Sequence, residues 1–220
     1  MARRALLVLL AALLSAHAAA PPTDPGWKRL FDGKTLTNWK SVKFGDEGKV
    51  YVKDGMIVLE KGQKLTGIVY TRGDFPKVNY EVTYEGKKID GDDFFSMPTL
   101  PARDEFFSFV TGGWRGTVVG ISNVNGANAS ENITTKSMEF ERDRWYRFRV
   151  RVTANRIEAW IDREKVVDLD TSDVTLSLHL ASRPSRPFGF SSYDTTGAVR
   201  DIRLRQLSPA EVARIEAAKD

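Results

Sequence analysis

The 220-residue chain has no cysteine. That absence excludes disulfide bridges, thiolate metal sites, a cysteine nucleophile and an acylated cysteine anchor. A domain of this length buries enough apolar surface to fold without such staples. Histidine is nearly as scarce, with only His17 and His179. A metal site or mechanism built on several histidines is therefore excluded. Beyond the first twenty residues no apolar run is long enough to cross a bilayer, so no membrane span is expected. A dominant sign of charge is missing too. Lys and Arg number 33 against 29 Asp and Glu, a net of +4, and the two signs are interspersed. No basic stripe of the kind that binds nucleic acid is present.

The first residues do read as something definite. Arg3 and Arg4 precede an apolar run from Ala5 to Leu14, and Ala16-His17-Ala18 has the small-x-small pattern of a cleavage site. The expectation is a signal peptide over 1–18, a Pro-rich leader over 19–25, and a mature protein that is secreted or periplasmic.

From residue 26 the chain reads almost wholly as short strands. Val50-Tyr51-Val52 and Met56 to Leu59 flank Asp54-Gly55, a dipeptide that adopts positive φ at low cost and so favours a hairpin. In Trp145 to Val152, Tyr146, Phe148, Val150 and Val152 alternate with Arg147, Arg149 and Arg151. Period-two alternation of this kind buries the first set and leaves the arginines outside. After a turn near Ala154-Asn155, Glu158 and Trp160 fall on the face that can lie beside those arginines. Further strands are expected at Tyr80 to Tyr84, Phe94-Phe95, Phe106 to Val110, Thr117 to Ile121, Lys165 to Val167, Leu176 to Leu180, Phe188 to Ser191 and Val199 to Leu207. About a dozen such strands with close turns predict an all-β antiparallel sandwich or barrel over 26–207. Ser208-Pro209-Ala210-Glu211 is a capping box with proline at the first helical position, predicting a short helix in the 208–220 tail. No internal repeat and no second domain are expected.

The stretch Gly26-Trp27-Lys28-Arg29-Leu30-Phe31-Asp32-Gly33-Lys34-Thr35-Leu36-Thr37-Asn38-Trp39 carries a resemblance. It is similar to the opening G-[WF]-x-x-L-F-[DN]-G-K-[TD]-L-x-x-W of a bacterial family of secreted domains, formerly of unknown function. The family is named for 3-keto-disaccharide hydrolysis, with 3-keto-glucoside 1,2-lyase and 3-keto-glucal hydratase activities. Val52 to Ile57, Arg144-Trp145-Tyr146, Ile157 to Asp162 and Val199 to Leu204 extend the likeness. The resemblance implies a concanavalin-like jelly roll that acts on an oxidised sugar. Residue by residue, Trp27, Leu30, Phe31, Leu36 and Trp39 read as packing residues and Asp32-Gly33 as a turn. The centre departs from the pattern. Where family members carry G-N-S-G-hydrophobic-F-x-R, this chain has Asp90-Gly91-Asp92-Asp93-Phe94-Phe95-Ser96-Met97, without the arginine. Where they carry a Y-E-x-Q strand, Phe106-Phe107-Ser108-Phe109 lacks the polar pair.

Candidate ligand-binding residues gather in Gly112 to Asn132. Sugar recognition needs an apolar plate for the ring's C–H face and planar amides or carboxylates for its hydroxyls. Trp114 can be the plate; Asn123, Asn125, Asn128, Ser130 and Asn132 can be the hydrogen-bonding groups. The same residues also read as a turn-rich loop around Asn125-Gly126. For elimination from a 3-keto sugar, Glu131 is the candidate base, Arg115 the enolate stabiliser and His179 the reserve base. Asp90 and Asp92 can share a face and help hold a divalent ion such as calcium, or form a solvated turn. The expected partner is a carbohydrate or oxidised sugar. A non-catalytic carbohydrate-binding module on the same fold is the alternative. The sequence carries no signal for oligomeric state.

Overall fold

A computed structural model describes residues 26–218. The expected signal peptide and leader lie outside the described residues. In chain order the strands are β1 (Lys28–Arg29), β2 (Trp39–Ser41), β3 (Val50–Lys53), β4 (Met56–Leu59), β5 (Leu65–Tyr70), β6 (Tyr80–Gly91), β7 (Met97–Ala102) and β8 (Glu105–Gly112). They continue as β9 (Val118–Ser122), β10 (Lys136–Ser137), β11 (Trp145–Val152), β12 (Arg156–Ile161), β13 (Glu164–Asp170), β14 (Gly189–Tyr193) and β15 (Thr195–Gln206). Two antiparallel sheets result. The first runs β13-β12-β11-β6-β15-β4-β3, with β1 added along β15; the second runs β10-β9-β8-β7-β14-β5-β2.

Alternation decides which side of each strand meets the other sheet. Tyr146, Phe148, Val150 and Val152 are buried, whereas Arg147 is exposed and Arg149 and Arg151 are half-buried. Phe148 stacks on Tyr84 of the adjacent strand at 4.9 Å between ring centroids, and Tyr84 meets Phe190 of the second sheet edge-on at 4.7 Å. Trp39 of the opening motif is buried among Tyr70, Phe188 and Phe190, and its indole N–H donates to the Leu30 carbonyl at 2.9 Å. That motif therefore builds core. Asp54 and Gly55 take positive φ at the β3–β4 hairpin. The outer face of the first sheet is a charged lattice. Arg151 bridges Glu81 at 3.0 Å and Glu158 at 3.1 Å, and the Arg149 guanidinium lies 3.7 Å from the centre of the Trp160 ring.

Several segments differ from the sequence expectation, among them strands β1, β2, β5 and β10, which it did not include. Leu176 to Leu180 is not a strand. Leu176 makes one isolated bridge to Val124, and the chain then enters a 3-10 turn over Leu180–Ser185. Phe94-Phe95 lies in a bend before β7, with Phe95 buried in the core. Met97–Ala102 is a central strand in spite of Pro98 and Pro101. It is registered with β14 over 97–99 and with β8 over 99–102, so each proline stands where only one neighbour is paired. The C-terminal helix, Pro209–Ala217, begins at the expected capping box.

Candidate functional site

The outer face of the second sheet carries a cleft. On β8, Phe107 and Phe109 point into the core, so Ser108 and Val110 point the other way. These two, with Met97 of β7 and Ser122 of β9, line a cavity of about 400 Å³. That volume lies within the ordinary range for a small-ligand pocket. Its rim is aromatic and titratable: Trp114, Phe94, Tyr193, Asp93 and His179. Ser108 is buried, and its hydroxyl has no hydrogen-bond partner; neither has that of Thr99, its cross-strand neighbour. Buried hydroxyls are normally satisfied, so these two, both closed to solvent, are exceptions.

Trp114 owes its position to a strained turn. Gly112 has φ 82°, Trp114 φ 48° and Arg115 φ 69°, followed by Gly116 at φ 104°. Glycine takes this region freely; tryptophan and arginine do not. A Cβ on Gly112 would also come within 3.2 Å of the Gly116 carbonyl. The turn leaves the indole 45% exposed, although it is a large apolar group. Asp93 holds the turn from the neighbouring segment. Its Oδ1 accepts the Phe94 N–H at 2.8 Å and its Oδ2 accepts the Arg115 N–H at 3.2 Å. Burial pushes the Asp93 carboxyl above the usual aspartate range, outweighing those two N–H donors, and the nearby Asp194 charge adds to the rise.

His179 caps the 3-10 turn, and its Nδ1 accepts the Ala181 N–H at 3.3 Å. An accepting Nδ1 leaves Nε2 to carry the proton of the neutral ring. His179 is exposed and lines the cleft together with Ala181 and Ser182.

The structure brings Trp114, Asn128 and His179 to one cavity. The other sequence candidates lie outside its lining. Glu131 is exposed and accepts the Asn128 Nδ2–H at 2.7 Å. Arg115 is exposed next to Trp114. Asn125 forms the turn at φ 52° and accepts the Thr175 N–H at 2.8 Å. Asn132 donates to the Ile121, Ala127 and Asn128 carbonyls and accepts from Thr134. Ser130 donates to Asn128, and Asn123 accepts from Ser122. These amides mostly sew the loop to β9. Asp90 and Asp92 both reach Arg142, at 3.3 and 3.6 Å. Among the described residues no group of three or more His, Asp or Glu is placed to hold a metal ion.

The residues that sequence reasoning did not place in the cleft include Asp93, Phe94, Met97, Ser108, Val110 and Tyr193. For Ser108 and Val110 a signal existed, because alternation in Phe106 to Val110 puts them on the face opposite Phe107 and Phe109. For Asp93 and Tyr193 there was none, since both lie beyond the regular part of a strand or at its end.

Two packed antiparallel sheets with a cleft on one outer face define a jelly-roll sandwich. The 3-keto-alpha-glucoside-1,2-lyase-like domain family matches residues 26–205, and the chain belongs to that family. A candidate glycosyl hydrolase from Parabacteroides distasonis shares the fold at a TM-score of 0.54 and 16% identity, covering 83% of this chain and 94% of the other. The Crh5 transglycosylase, solved with NAG, aligns at a TM-score of 0.57 and 15% identity over 84% and 86%. The carbohydrate-binding module CBM66 of Bacillus subtilis gives 0.53 and 13% over 77% and 96%. At these identities the likeness is one of fold. No curated protein matches the chain. Among the described residues no helix is long and apolar enough to cross a membrane.

Proposed function

We propose that the domain cleaves the glycosidic bond of 3-keto-glucosides by base-assisted elimination, outside the cytoplasm, in the cleft beside Trp114. The observation that carries this reading is the pairing of an exposed indole with a half-buried carboxylate on one cavity wall. Membership of the family supports the substrate class.

A ketone at C3 acidifies the hydrogen at C2. Asp93 takes that proton as a carboxylate, and the C–H electron pair forms the C2–C3 enolate. Collapse of the enolate restores the ketone, forms the C1–C2 double bond and expels the C1 oxygen. His179 Nε2–H donates a hydrogen bond to that oxygen as it departs, and the proton that Asp93 took from C2 passes to it through water. Water added later across C1–C2 completes a net hydrolysis. Trp114 provides the plate for the ring's C–H face.

The test is turnover and binding of a 3-keto-glucoside by four proteins. Asp93→Asn is expected to lower kcat by roughly 10²–10⁴-fold with little change in KM. Trp114→Ala is expected to weaken binding by about 1–3 kcal/mol. Glu131→Gln, outside the lining, is expected to match the parent. Because burial has raised the Asp93 pKa, kcat rises with pH through a value above the ordinary aspartate range. Loss of turnover in Glu131→Gln with an unaffected Asp93→Asn would return the base to Glu131. Sugar binding without turnover in the parent would make the domain a carbohydrate-binding module.

A further inference from the structure

The cleft does not end at the 3-10 turn. A second cavity of about 300 Å³ lies beside it and shares two of its walls, Leu65 and Ala181. Three consecutive residues divide between the two spaces. His179 lines the first, Leu180 the second, and Ala181 both. The second cavity is otherwise built from Phe44, Pro184, Asp46 and two lysines. Its most unusual feature is Leu180, which is 70% exposed at the start of the turn. An isoleucine or leucine exposed singly is ordinary. Here the exposed leucine stands with Phe44, Pro184 and Leu65 on one recess, which joins a cleft that already holds an exposed indole. Lys43 is engaged by Glu47 at 2.8 Å, while Lys64 and Asp46 carry opposite charges, so the recess has little net charge to offer an ionic ligand.

We propose that this recess is a leaving-group subsite that binds an uncharged aglycone through an apolar face. The inference rests on the reading of the first cavity as the site of the sugar ring. A ring seated against Trp114 and a second unit against Leu180 would be joined across His179 and Ala181. The bond that breaks then lies beside the one imidazole of the cleft, where a hydrogen bond to the departing oxygen is needed. The selectivity of the domain among 3-keto-glucosides is set in this recess, by the apolar area of the aglycone.

Methyl and 2-phenylethyl 3-keto-glucosides test this, because both leaving groups are aliphatic alcohols of similar basicity and differ mainly in apolar area. The parent is expected to show a KM about ten-fold lower for the phenylethyl compound. Leu180→Asp, at an exposed position, is expected to abolish that difference and leave the methyl compound unchanged; Phe44→Ala is expected to reduce it. Equal KM values in the parent, or a Leu180→Asp effect equal on both compounds, overturn the proposal. If neither compound is cleaved, the elimination reading fails on its own, and calorimetric binding of the same pair decides the subsite. Tighter, Leu180-dependent binding of the phenylethyl compound supports the subsite, and equal binding refutes it.

Discussion

Trp114 and Arg115 occupy the left-handed backbone region side by side, at φ 48° and 69°. Each costs about 1–2 kcal/mol there relative to glycine's freedom. Only Trp114 gives the cleft something in return, since Arg115 is exposed and lies outside the cavity lining. Arg115→Gly is therefore expected to stabilise the domain by about 0.5–1 kcal/mol in urea unfolding and to leave sugar affinity unchanged. A loss of stability would mean that the arginine side chain holds the turn. Asp93 shows why single residues in a loop resist sequence reading. Alternation separates it from Asp92, but nothing in the sequence says that its carboxylate turns back to catch the N–H of Arg115, twenty-two residues on. Its raised pKa comes from burial, against the pull of that N–H.

Elements were more legible than residues. The C-terminal helix was expected from four letters, and both halves of the capping box are formed: Glu211 N–H donates to Ser208 Oγ, and Ser208 N–H donates to Glu211 Oε2 at 2.9 Å. Ser208→Ala is expected to cost about 1 kcal/mol of helix stability. The Ser208 N–H, followed by the Arg205 guanidinium and the Ser208 hydroxyl, holds the Glu211 carboxyl down at about 2. A lowered carboxylate contributes stability that is present above its ordinary value and lost as pH falls through the folded one. The helix is thus expected to loosen between about pH 4.5 and 2. Cα chemical shifts of residues 209–217 across that window check this, and unchanged shifts would refute it. Leu176 to Leu180 is the opposite case. Its alternation resembles a strand, yet pairing stops at Ser177, which exchanges backbone hydrogen bonds with Asn123, so the segment turns and delivers His179 and Leu180 to the cleft. Pattern describes what a segment can do; pairing requires a neighbour with free backbone groups.

At the scale of the whole molecule, the first sheet is tied across its middle by one buried charge. Glu81 of β6 is 3% exposed and meets Arg151 of β11 at 3.0 Å and Arg205 of β15 at 3.1 Å, with Arg149 at 4.0 Å. Glu81→Ala would leave these guanidinium groups without their central counter-charge and is expected to destabilise the fold by about 3–5 kcal/mol in denaturant unfolding. A change below 1 kcal/mol would mean that solvent already screens the cluster. The sequence alone determined the sandwich, because inside and outside alternate locally along each strand and turns such as Asp54-Gly55 carry their own chemistry. It also determined the buried role of Trp39 and the start of the last helix. Tertiary structure alone decided which sheet carries the cleft. Both sheets have outer faces with polar and aromatic side chains. On the first, Glu81 and Glu158 bind the arginine row and Trp160 is covered by Arg149. On the second, Ser108 keeps an unpaired hydroxyl, and Trp114, Asp93 and His179 converge from three separate segments. Such convergence depends on how loops far apart in the chain pack around a shared sheet, and no local pattern encodes that.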